Sequence, residues 1–211
     1  MTLLGLASPL RAEDMFGVRS TDTPRLARVE EETASGDGIY GRLDGDLTLA
    51  AAAGAEVDFS SSDARAMLLV TARYFSTVGV YGVARESLSD GDAFERIWGT
   101  GVLVEPLFVA RAVKNLEQGP AFWDLTLDSI GLNFGAFWAE PRGAALGSQR
   151  GAELGLGVGV PLIGSFEGPW LRANGQLRWD ETSSGATSLW VTLEWRGLLN
   201  TGLTGKPSLV D

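Results

Sequence analysis

The sequence predicts an all-β protein that closes into an antiparallel barrel of about eight strands. The first observation is a long alternation of period two, in which an apolar residue or glycine occupies every odd position from Leu43 to Phe59. Such alternation gives a strand one apolar face and one polar face. The second observation is that similar runs, separated by turn-rich pieces, recur along most of the chain. An even number of strands fits a closed antiparallel barrel.

The turn-rich pieces divide the chain into its predicted strands. The strands are predicted at residues 39–59, 65–75, 78–85, 97–104, 122–138, 151–162, 170–180 and 187–196. Within 122–138 the apolar positions switch from odd to even, which predicts a β-bulge near Asp128 and Ser129 because a slip of one residue reverses every side chain.

The segment 106–117 breaks the alternation and predicts a short amphipathic helix. Its apolar residues fall at helical spacing, and Pro106 suits the first helical turn. The helix is expected either to lie on the membrane or to plug one mouth of the barrel. A packed connector or a continued strand is the alternative interpretation.

The chain is expected to form one domain with short additions at both ends. Residues 1–12 resemble the remnant of a signal peptide, because a short apolar run is followed by small residues. Residues 13–37 are predicted to be a mobile polar leader, 38–197 the barrel and 198–211 a polar C-terminal tail. No stretch approaches the ~20 apolar residues that a membrane-spanning helix needs.

Composition excludes several classes of function. The formal charge of −10 and the pI near 4.5 argue against a nucleic-acid partner. The chain has no cysteine and no histidine, so thiolate metal sites and the commonest general base are both missing. We therefore predict no cofactor and no metal site. The segment Ser89 to Asp92 is only a fragment of a calcium-loop pattern and is expected to be an exposed acidic loop.

The contents of the polar faces distinguish a membrane barrel from a soluble one with an apolar interior. The polar face of 151–162 is rich in glycine, which makes room for long side chains inside a narrow barrel. Arginine and carboxylate side chains on the other polar faces would then pair there and plug the lumen. The predicted lumenal charge network contains Arg42, Asp44, Asp46, Arg73, Arg172, Arg178, Glu194 and Arg196, together with Asp58, Arg65, Asp124 and Asp180.

Aromatic residues near the predicted strand ends are typical of the girdles of membrane barrels. The predicted girdle consists of Trp98, Trp123, Trp138, Trp179 and Trp195. Packing of these side chains in a soluble core is the alternative.

Over about residues 39–196 the chain resembles the class of small outer-membrane β-barrels, through its alternation, its tryptophans and its last strand, Leu189 to Trp195. The resemblance is architectural. It implies a transmembrane, porin-like β-barrel in the outer membrane of a diderm, Gram-negative bacterium. Its expected partners are outer-membrane lipid and other envelope proteins. The envelope proteins are expected to bind through loops 86–96 and 139–150.

Enzymes that share this architecture use histidine in their catalytic groups, so none of their sites can be carried over to this chain. The predicted function is therefore non-enzymatic, either structural or partner-binding within the envelope. Two alternatives remain open: a soluble periplasmic, lipocalin-like barrel that binds an apolar ligand, and an envelope enzyme that uses carboxylates such as Asp44 and Asp46 alone.

Overall fold

A computed structural model describes residues 45–89, 92–114, 116, 120–180 and 185–202. The predicted signal remnant, the leader, Arg42, Asp44 and most of the C-terminal tail lie outside the described residues.

Eight strands form one closed antiparallel barrel, in which each strand pairs with its neighbours in the chain and the first pairs with the last. The predicted closed, eight-stranded fold is confirmed. The strands are β1 Leu47–Asp58, β2 Asp63–Tyr74, β3 Val78–Ser87, β4 Phe94–Val104, β5 Gly131–Pro141, β6 Gln149–Pro161, β7 Gly168–Asp180 and β8 Ala186–Leu199.

The strand register fixes the width of the barrel. Following paired residues from Leu47 once around the barrel leads back to β1 at Val57, an offset of ten residues. With ordinary strand spacing and rise, this offset gives a strand tilt of about 40° and a radius of about 8 Å. Such an interior is just wide enough for side chains to fill it.

The two ends of the barrel differ. The end that carries connections 59–62, 88–93, 142–148 and 181–185 is called the loop rim. The opposite end, called the helix end, carries the short turn 75–77, the segment 105–130 and the connection 162–167.

Two helices lie between β4 and β5: α1, Pro106–Val113, and α2, Ala121–Asp128. The predicted helix is confirmed by α1. The prediction of one strand over 122–138 is wrong, because its first part is α2 and β5 begins only at Gly131. The switch of apolar positions near Ser129 marks the junction between helix and strand, where the Ser129 N–H closes the helix on the Leu125 carbonyl at 3.1 Å. None of the described helices is long and apolar enough to cross a membrane.

Candidate functional site: a charged interior and an apolar exterior

The outward faces of the strands are apolar over most of their length. Large side chains stand exposed there, with 64% of Leu68, 58% of Leu193 and 66% of Trp195 open to the surroundings. The charged residues on the outer surface of the strands are all at the loop rim: Glu86, Glu95, Arg96, Glu140 and Arg150. Below this rim, the outward positions of the described strands carry no charged residue.

The apolar band is as tall as a membrane. The twelve residues of β1, tilted by about 40°, rise about 27 Å along the barrel axis. The apolar band of outer-membrane barrels is about 25 Å tall.

Four of the five predicted girdle tryptophans lie on the outward faces. Trp98 and Trp138 stand opposite each other in the register of β4 and β5 near the loop rim, and Trp179 is near the same end on β7. Trp195 is nearer the helix end, opposite Pro169 at the start of β7. Trp123 is not at a strand end as predicted, because it belongs to α2.

The interior near the loop rim holds a set of ionic side chains that we call the rim cluster. Its members are Glu56, Asp58, Arg65, Arg85, Asp92, Glu153 and Arg178. Glu56 is at its centre and is fully buried. Its carboxylate lies 2.6 Å from the Arg85 guanidinium, 2.7 Å from that of Arg178 and 3.4 Å from that of Arg65. This carboxylate therefore joins side chains from β1, β2, β3 and β7.

Asp92 closes the rim cluster from the connection between β3 and β4. Its carboxylate is buried and lies 2.7 Å from the Arg65 guanidinium, so the predicted exposed acidic loop is wrong at this residue. Burial raises the pKa of Asp92, but the hydrogen bonds from Arg65 and from the Phe94 N–H outweigh burial and hold this pKa below its usual value.

A second set, the base cluster, fills the interior near the helix end with Arg73, Glu105, Arg172, Glu194 and Arg196. Glu105 lies 2.8 Å from Arg172, and Glu194 lies 2.5 Å from Arg196 and 3.4 Å from Arg73. The Arg196 guanidinium also stacks over the Trp170 ring at 3.6 Å, a favourable cation–π geometry. The three arginines are thus neutralised in part by two carboxylates and in part by an aromatic face.

An apolar layer separates the two clusters. Its buried members are Ala52, Met67, Leu69, Tyr81, Val83, Leu103 and Trp190. The layer borders a cavity of about 20 Å³ that is also lined by Thr71, Asn133 and Gln176 and by three arginines of the two clusters, Arg73, Arg85 and Arg172. That volume holds about one water molecule.

Three further predicted network members have other partners. Asp124 lies on α2 and pairs with Arg111 of α1, so its predicted place on a strand is wrong. Asp46 is buried at the helix end, where it accepts hydrogen bonds from the N–H of Thr201 at 2.7 Å and from its hydroxyl at 2.5 Å. Asp180, at the end of β7, accepts a hydrogen bond from the Gln149 side chain.

The predicted site omits five ionic residues of the two clusters: Glu56, Arg85, Asp92, Glu105 and Glu153. Alternation carried a signal for Glu56 and Glu153, which share the polar face of their strands. Arg85 falls at the end of predicted strand 78–85, and Glu105 lies between a strand and a helix, where no periodicity applies.

The geometry also bears on the alternative of a soluble, lipocalin-like barrel. That alternative requires the leucine, valine and tryptophan faces to point inward. The structure places Leu171, Leu177, Leu189 and Leu193 outward and ion pairs inside, so the premise of the alternative is wrong.

Comparisons with known proteins give two similar structures. No protein-family model matches the chain, and no curated protein matches it significantly. The N-terminal β-barrel domain of OprF from Pseudomonas aeruginosa shares 10% identity at a TM-score of 0.46, over 73% of this chain and 100% of that one. The de novo designed protein TMB2.3 shares 13% identity at a TM-score of 0.38, over 72% of this chain and 96% of that one.

Proposed function

We propose that this chain is an integral β-barrel of the outer membrane of a diderm bacterium, with a structural or partner-binding role in the envelope. The observation that carries the proposal is the inverted polarity of the barrel, with ionic clusters inside and an apolar band outside. Exposed leucine, valine and tryptophan side chains are unfavourable in water, whereas hydrocarbon accommodates them. In a closed barrel the backbone N–H and C=O groups of every strand are paired with a neighbouring strand, which a membrane-spanning structure requires.

The lumen is proposed to be closed to solutes. The rim cluster, the apolar layer and the base cluster succeed one another along the axis, and the cavity of about 20 Å³ lies beside the apolar layer. Porins that conduct solutes have far more strands and leave an aqueous channel. A barrel of this width, filled in three layers, is expected to serve as a scaffold rather than a channel.

The proposed role is non-enzymatic. In the described interior, the carboxylates of both clusters lie within ion-pair distance of arginine. Pairing of this kind occupies the carboxylates with charge-assisted hydrogen bonds, which suits a structural network better than acid–base catalysis. The connections at the loop rim, within 86–96 and 139–150, are where we expect envelope partners to bind.

The lipid-facing assignment can be tested with a matched pair of arginine substitutions. Leu193 is halfway along the outward face of β8, and Leu146 is in the connection between β5 and β6, with 58% and 49% exposure. In lipid vesicles, L193R is expected to lower the free energy of unfolding by about 2–4 kcal/mol, the cost of arginine near the midplane. L146R should leave it unchanged. Equal effects of the two variants, together with a wild-type protein that stays monodisperse without detergent, would overturn the proposal.

The closed lumen has its own test. Purified protein in planar bilayers is expected to show no steady conductance, and vesicles that contain it should not swell in small sugars. Steady conductance of the wild-type protein would contradict the closed lumen while leaving the membrane location intact.

A further inference from the structure

Helix α1 has the same inverted polarity as the barrel wall. Its one charged residue, Arg111, faces the protein together with Phe108, which is buried. The opposite face carries Val109, Ala110 and Val113, and Val113 is 81% exposed. An amphipathic helix on a water-facing surface has the reverse arrangement, with charge outside and apolar residues inside.

Helix α2 repeats this arrangement. Asp124, Leu125 and Asp128 are buried on one face. Phe122, Trp123 and Leu127 are exposed on the other face, and 62% of Trp123 is open. The rings of Phe122 and Trp123 pack edge to face, with centroids 5.1 Å apart. The helix thus presents an aromatic pair outward and keeps its two carboxylates inside.

The charged faces of the two helices meet. Arg111 of α1 pairs with Asp124 and lies 2.9 Å from Asp128, so the ion pairs are shared between the helices. Leu125 packs with Phe166 and Trp170 at the barrel mouth. These contacts fix the orientation of both helices, and their apolar faces point away from the barrel.

The segment that carries both helices joins the apolar band of the barrel at each of its ends. The chain leaves the wall after Val104 and re-enters it at Gly131, and the outward residues Val104 and Leu132 are paired with each other and exposed. Tyr74 and Phe75, exposed at the end of β2 and in the next turn, add a second aromatic pair at the helix end, with centroids 4.7 Å apart. Aromatic side chains concentrate at the boundary between headgroups and acyl chains.

From this continuity, and on the basis of the proposed function, we infer that α1 and α2 form an interfacial foot. Their apolar faces lie in the boundary between headgroups and acyl chains of the leaflet that surrounds the helix end. The occupant of this surface is lipid of the protein's own membrane, because the surface is apolar, aromatic and continuous with the band that lipid covers.

Site-directed spin labelling tests the inference cleanly, since the chain contains no cysteine. Single cysteines replace Val113 on α1 and Trp123 on α2 in protein folded into vesicles of phosphatidylethanolamine and phosphatidylglycerol. Leu193→Cys serves as the lipid control and Leu146→Cys as the aqueous control. Each variant must show heat-modifiable gel mobility, and Val109→Cys gives a second position on α1 if one variant fails to fold. The readout is the accessibility of the label to oxygen relative to a water-soluble nickel chelate.

If the foot is interfacial, the ratio at both helix positions is expected to be several-fold higher than at Leu146 and lower than at Leu193. Ratios equal to that at Leu146, with a high ratio at Leu193, would overturn the foot and leave the proposed function standing. Labels shielded from both reagents would indicate a second copy or another protein on this face, which also overturns it. An aqueous label at Leu193 would instead contradict the proposed function.

Discussion

Replacing Glu56 with glutamine is the most direct test of the ionic interior. The substitution keeps the size of the side chain and removes one negative charge from the centre of the rim cluster. Three guanidinium groups lie within 3.4 Å of that carboxylate, and the residue is fully buried. E56Q therefore takes from Arg65, Arg85 and Arg178 the carboxylate that they share, although Asp58, Asp92 and Glu153 still pair with them. The new amide N–H group can only donate, and it would lie against guanidinium groups that are donors too.

The expected cost follows from this burial. Removing one partner of a buried ion pair lowers the free energy of unfolding by about 3–5 kcal/mol, and here three guanidinium groups lose their shared partner at once. This corresponds to a change of about two to four orders of magnitude in the unfolding equilibrium. Glu86 offers the matched control, since it also pairs with an arginine, Arg96, at 3.0 Å, but both side chains are exposed. E86Q should cost no more than about 1 kcal/mol.

Urea unfolding from lipid vesicles, followed by tryptophan fluorescence and by heat-modifiable gel mobility, measures both variants against the wild type. If E56Q and E86Q lower the free energy of unfolding by the same amount, the reasoning is refuted, because burial would then make no difference to the contribution of an ion pair. A folded E56Q protein that conducts ions would show in addition that the rim cluster closes the lumen.

Three other predictions follow from single contacts. In the folded protein the pKa of Asp92 lies below its unfolded value of about 3.9. The stability that the contact with Arg65 provides is therefore complete at pH values above the unfolded pKa, and it is lost as the pH falls through the folded-state pKa. The difference in unfolding free energy between wild type and D92N should therefore shrink below about pH 4. A Cβ at Gly54 would lie 2.0 Å from a backbone oxygen of β8, so G54A should lower the free energy of unfolding by about 1–3 kcal/mol. The control is Gly175, which points outward into open space. G175A should fold normally in the same urea assay. The Ser129 hydroxyl lies 2.7 Å from both the backbone nitrogen and the carbonyl oxygen of Gly159 on β6. S129A should therefore lower the free energy of local unfolding of α2 by about 1–2 kcal/mol. Faster hydrogen exchange in residues 121–128 would show this loss.

The fold was predictable because alternation has a physical cause that acts on each strand separately. Each position in the run from Leu47 to Phe59 faces either the apolar exterior or the ionic lumen, so the pattern is strict and can be recognised in a single sequence. The number of strands and the closed topology followed from counting these runs. The same reasoning failed over 122–138, because three alternating residues, Trp123, Leu125 and Leu127, also fit one face or the other of a short helix.

The pairing inside the barrel was less predictable than its composition. Alternation assigns Arg178 and Glu194 to the lumen, but which carboxylate meets which arginine depends on the offset of ten residues around the barrel. That offset sets the height of each strand relative to the others and is not encoded in any one strand. Glu105 and Asp92 were missed for a different reason, since both enter the interior from connections, where side-chain direction follows no period.

The ionic interior also specifies the register of the barrel. A slip of β1 by one residue would turn Glu56 and Asp58 toward the apolar exterior and move Leu49 and Val57 into the lumen. Both changes are unfavourable, because Glu56 and Asp58 would lose their ionic partners and Arg178 would lose both carboxylates with which it pairs. A barrel with an apolar interior lacks this safeguard, since either face of its strands could meet lipid. Buried ion pairs that add little net stability therefore still select one register among several.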